Sequence, residues 1–249
     1  MINSDYLLNK IKSYNKFSNP EILSKAYNFA LNAHKDQKRV SGDPYIVHPV
    51  AVANILTDLK LDSATIITGL LHDTIEDTYA TYDTVVKEFG KEVADLVDGV
   101  TKLSALEDKA VQNSRAENFR KLILATSKDI RVLLVKIADR LHNMRTIKAI
   151  TKEDKRKRIA QETMEIYAPL ADRMGMHRIR DELEDLSFEV LNNDARTLIQ
   201  NRLDEIKSDK KDIFESLSIE INTLLNDNNI QSRSEEHTSE LQSQFRISY

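Results

Sequence analysis

The chain of 249 residues has no cysteine, only five glycines and four prolines, and no long apolar run. Without cysteine there is no disulfide framework, no thiolate nucleophile and no sulfur-ligated zinc site, so any metal has to be held by His, Asp or Glu. The same absence fits a reducing, cytoplasmic setting. No segment approaches the roughly 20 apolar residues needed to span a bilayer. The opening residues MINSDYLLNKIKSYNK also lack the apolar stretch of a secretory signal, so neither export nor a membrane anchor is expected. An excess of positive charge is missing as well: 36 Lys and Arg stand against 40 Asp and Glu, a net charge of -4. Bulk attraction to nucleic acid is therefore disfavoured. The one basic run, KEDKRKR from Lys152 to Arg158, reads as the charged outer face of a helix.

With so few breakers, and with apolar residues recurring every three or four positions, the chain is expected to be all-α, any strand being minor. A helix follows Pro20 and runs through EILSKAYNFALNAHKDQK to a turn at Ser41, Gly42, Asp43 and Pro44. Pro49 suits the first turn of the next helix, through Leu59, which sets His48 at its mouth. Asp62 or Ser63 caps a helix carrying Ile66, Ile67, Leu70 and Leu71. Two further helices, near Thr81 to Phe89 and Lys91 to Leu103, are separated by Gly90. The polar, irregular stretch from Ser104 to Asn118 is expected to be a mobile loop. Asp129 caps a long helix whose stripe is Ile130, Leu134, Ile137, Leu141, Met144 and Ile147. Another spans about Glu153 to Met174, interrupted near Pro169, and the next runs from Arg178 to Leu191.

Within this pattern GLLHDTIEDT, Gly69 to Thr78, is out of place, because an apolar run ends in His72, Asp73, Glu76 and Asp77. Read as one helix, residues four apart share a face, and three carboxylates so close repel unless a cation or a proton sits among them. His48 at a helix start and Asp139 within an apolar stripe bring the same kinds of side chain to apolar surface. Taken singly, His48 reads as a cap or a satisfied core histidine, and Asp139 as a buried partner of Arg140 or Lys136. Taken together, two imidazoles and two carboxylates suit a divalent ion with open positions.

The phrases SGDPYIVHPV, GLLHDTIEDT, DGVTKL, RAENFRKL, DIRVLLVKIADRLHNMRT, ETMEIYAPLADRMG and ELEDLSFEVL follow one another in order. From Asn19 to Leu191 this order resembles the HD-domain phosphohydrolases, and among them the amino-terminal hydrolase region of the RelA/SpoT family of guanosine tetra- and pentaphosphate enzymes. The resemblance implies an HD-domain helical bundle followed by a helical connector. It implies that His48, His72, Asp73 and Asp139 hold a manganese ion, and that Glu76 and Asp77 line up or deprotonate the attacking water. Arg39, Ser41 and Tyr45 match the loop that grips the guanine and ribose end, and Asn143 and Thr146 match helix positions facing the nucleotide. Val40 departs from the pattern, which often has a longer, commonly basic side chain there. Arg140 reads as a structural pairing, and His34 and His177 as structural or surface groups.

By the same resemblance, residues 1–150 form the hydrolase domain, and 151–230 a connector with the start of a truncated synthetase domain. The synthetase and regulatory domains of full-length relatives are missing. Residues 231–249 are expected to be non-native, since RSEEHTSELQS, Arg233 to Ser243, looks like a translated sequencing adapter. The expected activity is manganese-dependent removal of pyrophosphate from the 3′ position of guanosine tetra- or pentaphosphate, giving GDP or GTP. The rival readings are an HD phosphohydrolase acting on another nucleotide and a fragment that binds the alarmone without turnover. Glu76 and Asp77 favour turnover.

Overall fold

A computed structural model describes residues 4–15, 19–109, 129–209 and 211–230. The tail from 231 and residues 110–118 of the expected loop lie outside them. Among the described residues regular structure is helical, apart from one isolated bridge between Lys38 and Pro44. The helices are α1 (Ser4–Lys12), α2 (Pro20–Ala33), α3 (Val47–Asp58), α4 (Ser63–Leu71), α5 (Thr74–Asp77), α6 (Tyr82–Phe89), α7 (Lys91–Lys109) and α8 (Arg131–Arg145). After a 3-10 turn at Ile147–Ala149 come α9 (Glu153–Glu162), a π-helical turn (Thr163–Tyr167), α10 (Ala168–Arg173), α11 (His177–Leu191), α12 (Asn193–Asp209) and α13 (Lys211–Asp227).

The capping chemistry written in the sequence sets several of these starts. Asn19 accepts from the Glu21 N–H at 2.9 Å, Asp62 from Thr65 at 2.7 Å and Thr81 from Thr84 at 3.2 Å, each satisfying an amide that the first turn leaves open. Asp129 accepts from the Arg131 amide at 2.9 Å at the head of α8. Three boundaries differ from the sequence reading. Helix α2 stops at Ala33, where a turn carries the chain into the hairpin-like loop 38–44. Helix α7 continues beyond Leu103 to Lys109, because Ala105, Leu106, Glu107 and Lys109 are good helix formers. The helix through Pro169 is broken by a π turn just upstream of it; proline lacks an N–H and crowds the carbonyl four residues back, and the wider turn absorbs both defects.

Helix α4 is the centre of the bundle. Thr65 to Leu71 are all buried, which is what an all-round apolar helix requires. It packs against α2, α3, α7 and α8. Gly69 lets α3 approach: a Cβ built there would lie 2.5 Å from Leu56 Cδ1 and 3.4 Å from Ala53 Cα. Helix α8 is also enclosed. Val132, Leu133 and Val135 are buried beside Ile137, Leu141 and Met144, whereas Ile130, counted in the predicted stripe, is exposed. Helix α11 packs on α8, α9, α10 and the π turn, so Ala160, Ile166, Tyr167, Leu170, Ile179 and Leu183 join the same core. The basic run lies on the exposed side of α9, with Lys157 and Glu153 paired at 2.7 Å one turn apart.

Candidate metal centre and active site

Helices α3, α4 and α8 meet where each carries a ligand-type side chain. His48 opens α3, His72 and Asp73 end α4, and Asp139 lies in the middle of α8. His48 Nε2 is 3.2 Å from Asp139 Oδ1 and 3.5 Å from Asp73 Oδ2. His72 Nε2 is 3.1 Å from Asp73 Oδ1 and 3.9 Å from Asp139 Oδ1. Donor atoms of His48, His72 and Asp139, all buried, lie within 4.8 Å of one another, a spacing that can hold a metal ion.

The structure differs from the single-helix reading of GLLHDTIEDT. The helix breaks at His72 and Asp73 and restarts as α5. His72 and Asp73 keep right-handed helical backbone angles through the break, and their adjacent side chains reach the centre from neighbouring directions. Thr74 Oγ1 donates across the break to the Leu71 carbonyl, and Thr78 Oγ1 at the far end of α5 donates to that of Thr74, each at 2.6 Å.

The donor set fits a cation. His72 Nδ1 donates to the Gly69 carbonyl at 2.9 Å, which leaves Nε2 as a bare lone pair; that atom is buried and has no hydrogen-bond partner. Burial lowers the pKa of His48, keeping it a neutral donor. Burial alone would raise Asp139, but the Lys136 ammonium 3.3 Å away and the two imidazoles outweigh it and hold the carboxyl well below its usual range. Two imidazoles with carboxylate oxygens and no sulfur make a site for a borderline or hard divalent ion.

Around this centre Tyr45 Oη lies 2.7 Å from Asp73 Oδ2 and 3.2 Å from Asp77 Oδ2, bridging a donor residue and the acidic pair. Burial and the two carboxylates push its phenol pKa up, so it stays a proton donor. His34 stacks on the Tyr45 ring at 4.6 Å and bonds Gln37, whose amide donates to the Asp77 carbonyl at 2.7 Å. Arg39 donates to Asn143 Oδ1 at 2.9 Å, and Asn143 donates to Asp139 Oδ1 at 2.6 Å. Glu76 and Asp77 are exposed on α5.

Two candidates stand apart from these contacts. Ser41 Oγ donates to Asp43 within its own loop at 2.8 Å, and Thr146 Oγ1 bonds carbonyls of α8 at its carboxyl end. Arg140 pairs with Glu162 at 3.0 Å and lies over the Tyr167 ring, while Arg145 pairs with Glu182. His177 lies 3.3 Å from Asp172, a neighbour that its sequence surroundings did not suggest. The sequence reading missed His142, whose Nδ1 is 2.7 Å from His48 Nδ1. Burial, the neighbouring His48 and the Arg39 charge push its pKa down to about 3. Lys136, which the sequence offered as a partner of Asp139, takes that place at 3.3 Å, and this buried lysine also donates to Ser104 Oγ at 3.0 Å.

A family model described as HD domain matches residues 26–177. The chain is 49% identical over 224 residues to the GTP pyrophosphokinase rsh of Brucella melitensis, an alignment covering 90% of this chain and 30% of that protein. It is 50% identical over 199 residues to the bifunctional (p)ppGpp synthase/hydrolase SpoT of Escherichia coli K12, covering 80% of this chain and 28% of that protein. It therefore spans less than a third of the length of these curated relatives. A solved structure described as a metazoan ortholog of SpoT that hydrolyzes ppGpp and plays a role in starvation responses superposes with a TM-score of 0.52 at 25% identity, over 72% of this chain and 98% of that one. The family match takes in all three helices that carry the donors, and on that match the chain belongs to the HD-domain family, with RelA/SpoT-type enzymes among its relatives.

Proposed function

We propose that this chain hydrolyses guanosine 3′,5′-bis(diphosphate), and the corresponding pentaphosphate, to GDP or GTP and pyrophosphate, with manganese as its ion, in alarmone turnover in the cytoplasm. The observation that carries the reading is the meeting of His48, His72, Asp73 and Asp139 beside the exposed pair Glu76 and Asp77. The similarity to a named (p)ppGpp synthase/hydrolase supplies the substrate class. We assign residues 1–150 to the hydrolase and 151–230 to a connector leading toward a synthetase domain.

A divalent ion on the four donors would supply Lewis-acid stabilisation of phosphate charge and lower the pKa of the attacking water. The chain's own residues do the rest. Glu76 or Asp77 accepts the water proton, as general-base catalysis requires of a carboxylate within reach of the nucleophile. The water oxygen bonds to the phosphorus next to the ribose, the bond from that phosphorus to the 3′ oxygen breaks, and the 3′ oxygen takes up a proton. Tyr45 holds the carboxylate of Asp77 in place through its hydroxyl. Arg39 and Asn143, joined to each other and to Asp139, present a cation and an amide to the nucleotide.

Pyrophosphate release from the tetraphosphate, measured with manganese and with excess chelator, tests the proposal. Turnover should require the ion. Asp73→Ala should lose both ion and turnover, whereas Glu76→Ala should keep the ion and slow turnover on the order of 10²-fold. Full activity in chelator would overturn the metal assignment, and loss of the ion in the Glu76 variant would move that residue into the donor set.

A further inference from the structure

We infer that His142 is a positioning residue for the metal centre, which accepts the Nδ1 proton of His48 in the one tautomer able to donate to a cation. The inference rests on the proposed metal site. His48 and His72 differ in how their far nitrogens are held. His72 Nδ1 faces the Gly69 carbonyl, an atom that can only accept, so the His72 proton stays on Nδ1 and Nε2 is always bare. His48 Nδ1 faces another imidazole nitrogen, His142 Nδ1, at 2.7 Å. Two nitrogens at that distance share one proton, and it can belong to either.

If the proton sits on His142, then His48 carries its own on Nε2, aimed at Asp139 3.2 Å away, and has no lone pair to offer. If it sits on His48 Nδ1, then Nε2 is free, and His142 must present a bare Nδ1 with its proton on Nε2. A bound ion at the centre selects the second state. The reverse also holds, because an acceptor opposite His48 Nδ1 keeps that proton hydrogen-bonded when the ion binds, and without it the donating tautomer would leave a buried N–H unpaired. The placement is economical in sequence: on one helix, Asp139 is a donor residue, His142 three positions on holds His48, and Asn143 bonds Asp139.

The test separates acceptor chemistry from packing. Asparagine places its Oδ1 the same number of bonds from the backbone as histidine Nδ1, so His142→Asn keeps an acceptor there. His142→Ala removes it, and His142→Phe keeps a ring without it. Each variant and the parent chain are titrated with manganese, free ion being followed by its electron paramagnetic resonance signal, with melting curves to score folding. Alanine and phenylalanine should weaken manganese binding by about 10–100-fold, and asparagine by no more than about threefold. His142→Gln, whose carbonyl sits one bond too far out, stands in for any variant that fails to fold and should bind as weakly as alanine. Equal affinities throughout would reduce His142 to a space-filler, and an asparagine variant as weak as alanine would show that its Nδ1 is not the working acceptor; either result overturns the inference. If the parent chain binds no manganese, the metal site itself is wrong and the inference falls with it.

Discussion

Replacing Gly69 by alanine probes the contact on which the centre is built. In an open helix this change would stabilise by about 0.5–1 kcal/mol, since glycine is the poorer helix former. Here the added carbon would lie 2.5 Å from Leu56 Cδ1, closer than real side chains approach, and 3.4 Å from the Ala53 backbone. Leu56 is fully buried and its methyl has no solvent to retreat into. Overpacking of this kind costs about 1–3 kcal/mol, so the net effect should be a loss of about 1–2 kcal/mol. Where the Leu56 side chain does not yield, α4 moves away from α3, separating the carriers of His72 and His48, and manganese affinity should then fall with stability. Shortening the opposing side chain should restore both: Gly69→Ala with Leu56→Val should lose less than the sum of the single changes by about 1 kcal/mol or more. Urea unfolding followed by circular dichroism gives the free energies. A Gly69→Ala chain as stable as its parent, or single effects that simply add, would refute the close-approach argument.

Acid should weaken the metal-free fold in a defined direction. The folded pKa of His142 is about 3 against an ordinary 6.5, and that of His48 is also lowered, so the folded chain declines protons that the unfolded chain accepts. For a depressed imidazole, stability is complete above about pH 6.5 and declines as the pH falls toward the folded value. Denaturant midpoints in chelator at about pH 7.5 and about pH 5.5 should show that decline, and a flat or rising trend would contradict the shifts. A chain ended after Leu191 should keep hydrolysis and gain solubility, because Leu217, Ile219, Ile221 and Leu224 of α13 are exposed, as are Leu198 and Ile199 of α12. Loss of turnover on that truncation, with the shortened chain still folded, would move the functional boundary beyond α11.

Much of this was legible because the signals are local. Asn19, Asp62, Thr81 and Asp129 are capping residues at the positions where caps are needed, and the apolar run through Ile66 and Leu71 has the composition of a helix buried on all sides. The donor residues stood out because His72, Asp73 and Asp139 break apolar stretches, where a charged group needs a reason. What stayed hidden depends on tertiary contact. Nothing near His142 in sequence shows that it will face a ring on α3, and nothing near Tyr45 shows that its hydroxyl will lie between Asp73 and Asp77. The break at His72 and Asp73 was missed for another reason. Apolar periodicity reports which residues are buried and not where the backbone leaves the helix, so it runs through this break unmarked.

The distances in sequence between partners at the centre bear on how the chain is made. His48 meets His142 across 94 positions, and Arg39 meets Asn143 across 104. A ribosome adding about 5–20 residues per second leaves several seconds between the appearance of His48 and that of Asp139, during which no complete site can exist. On the proposed metal assignment, an ion could not template the early chain through this site; it would clasp a bundle in which α8 has already docked. Added ion should lengthen the life of the native state without hastening its formation, leaving the refolding rate unchanged while the unfolding rate drops.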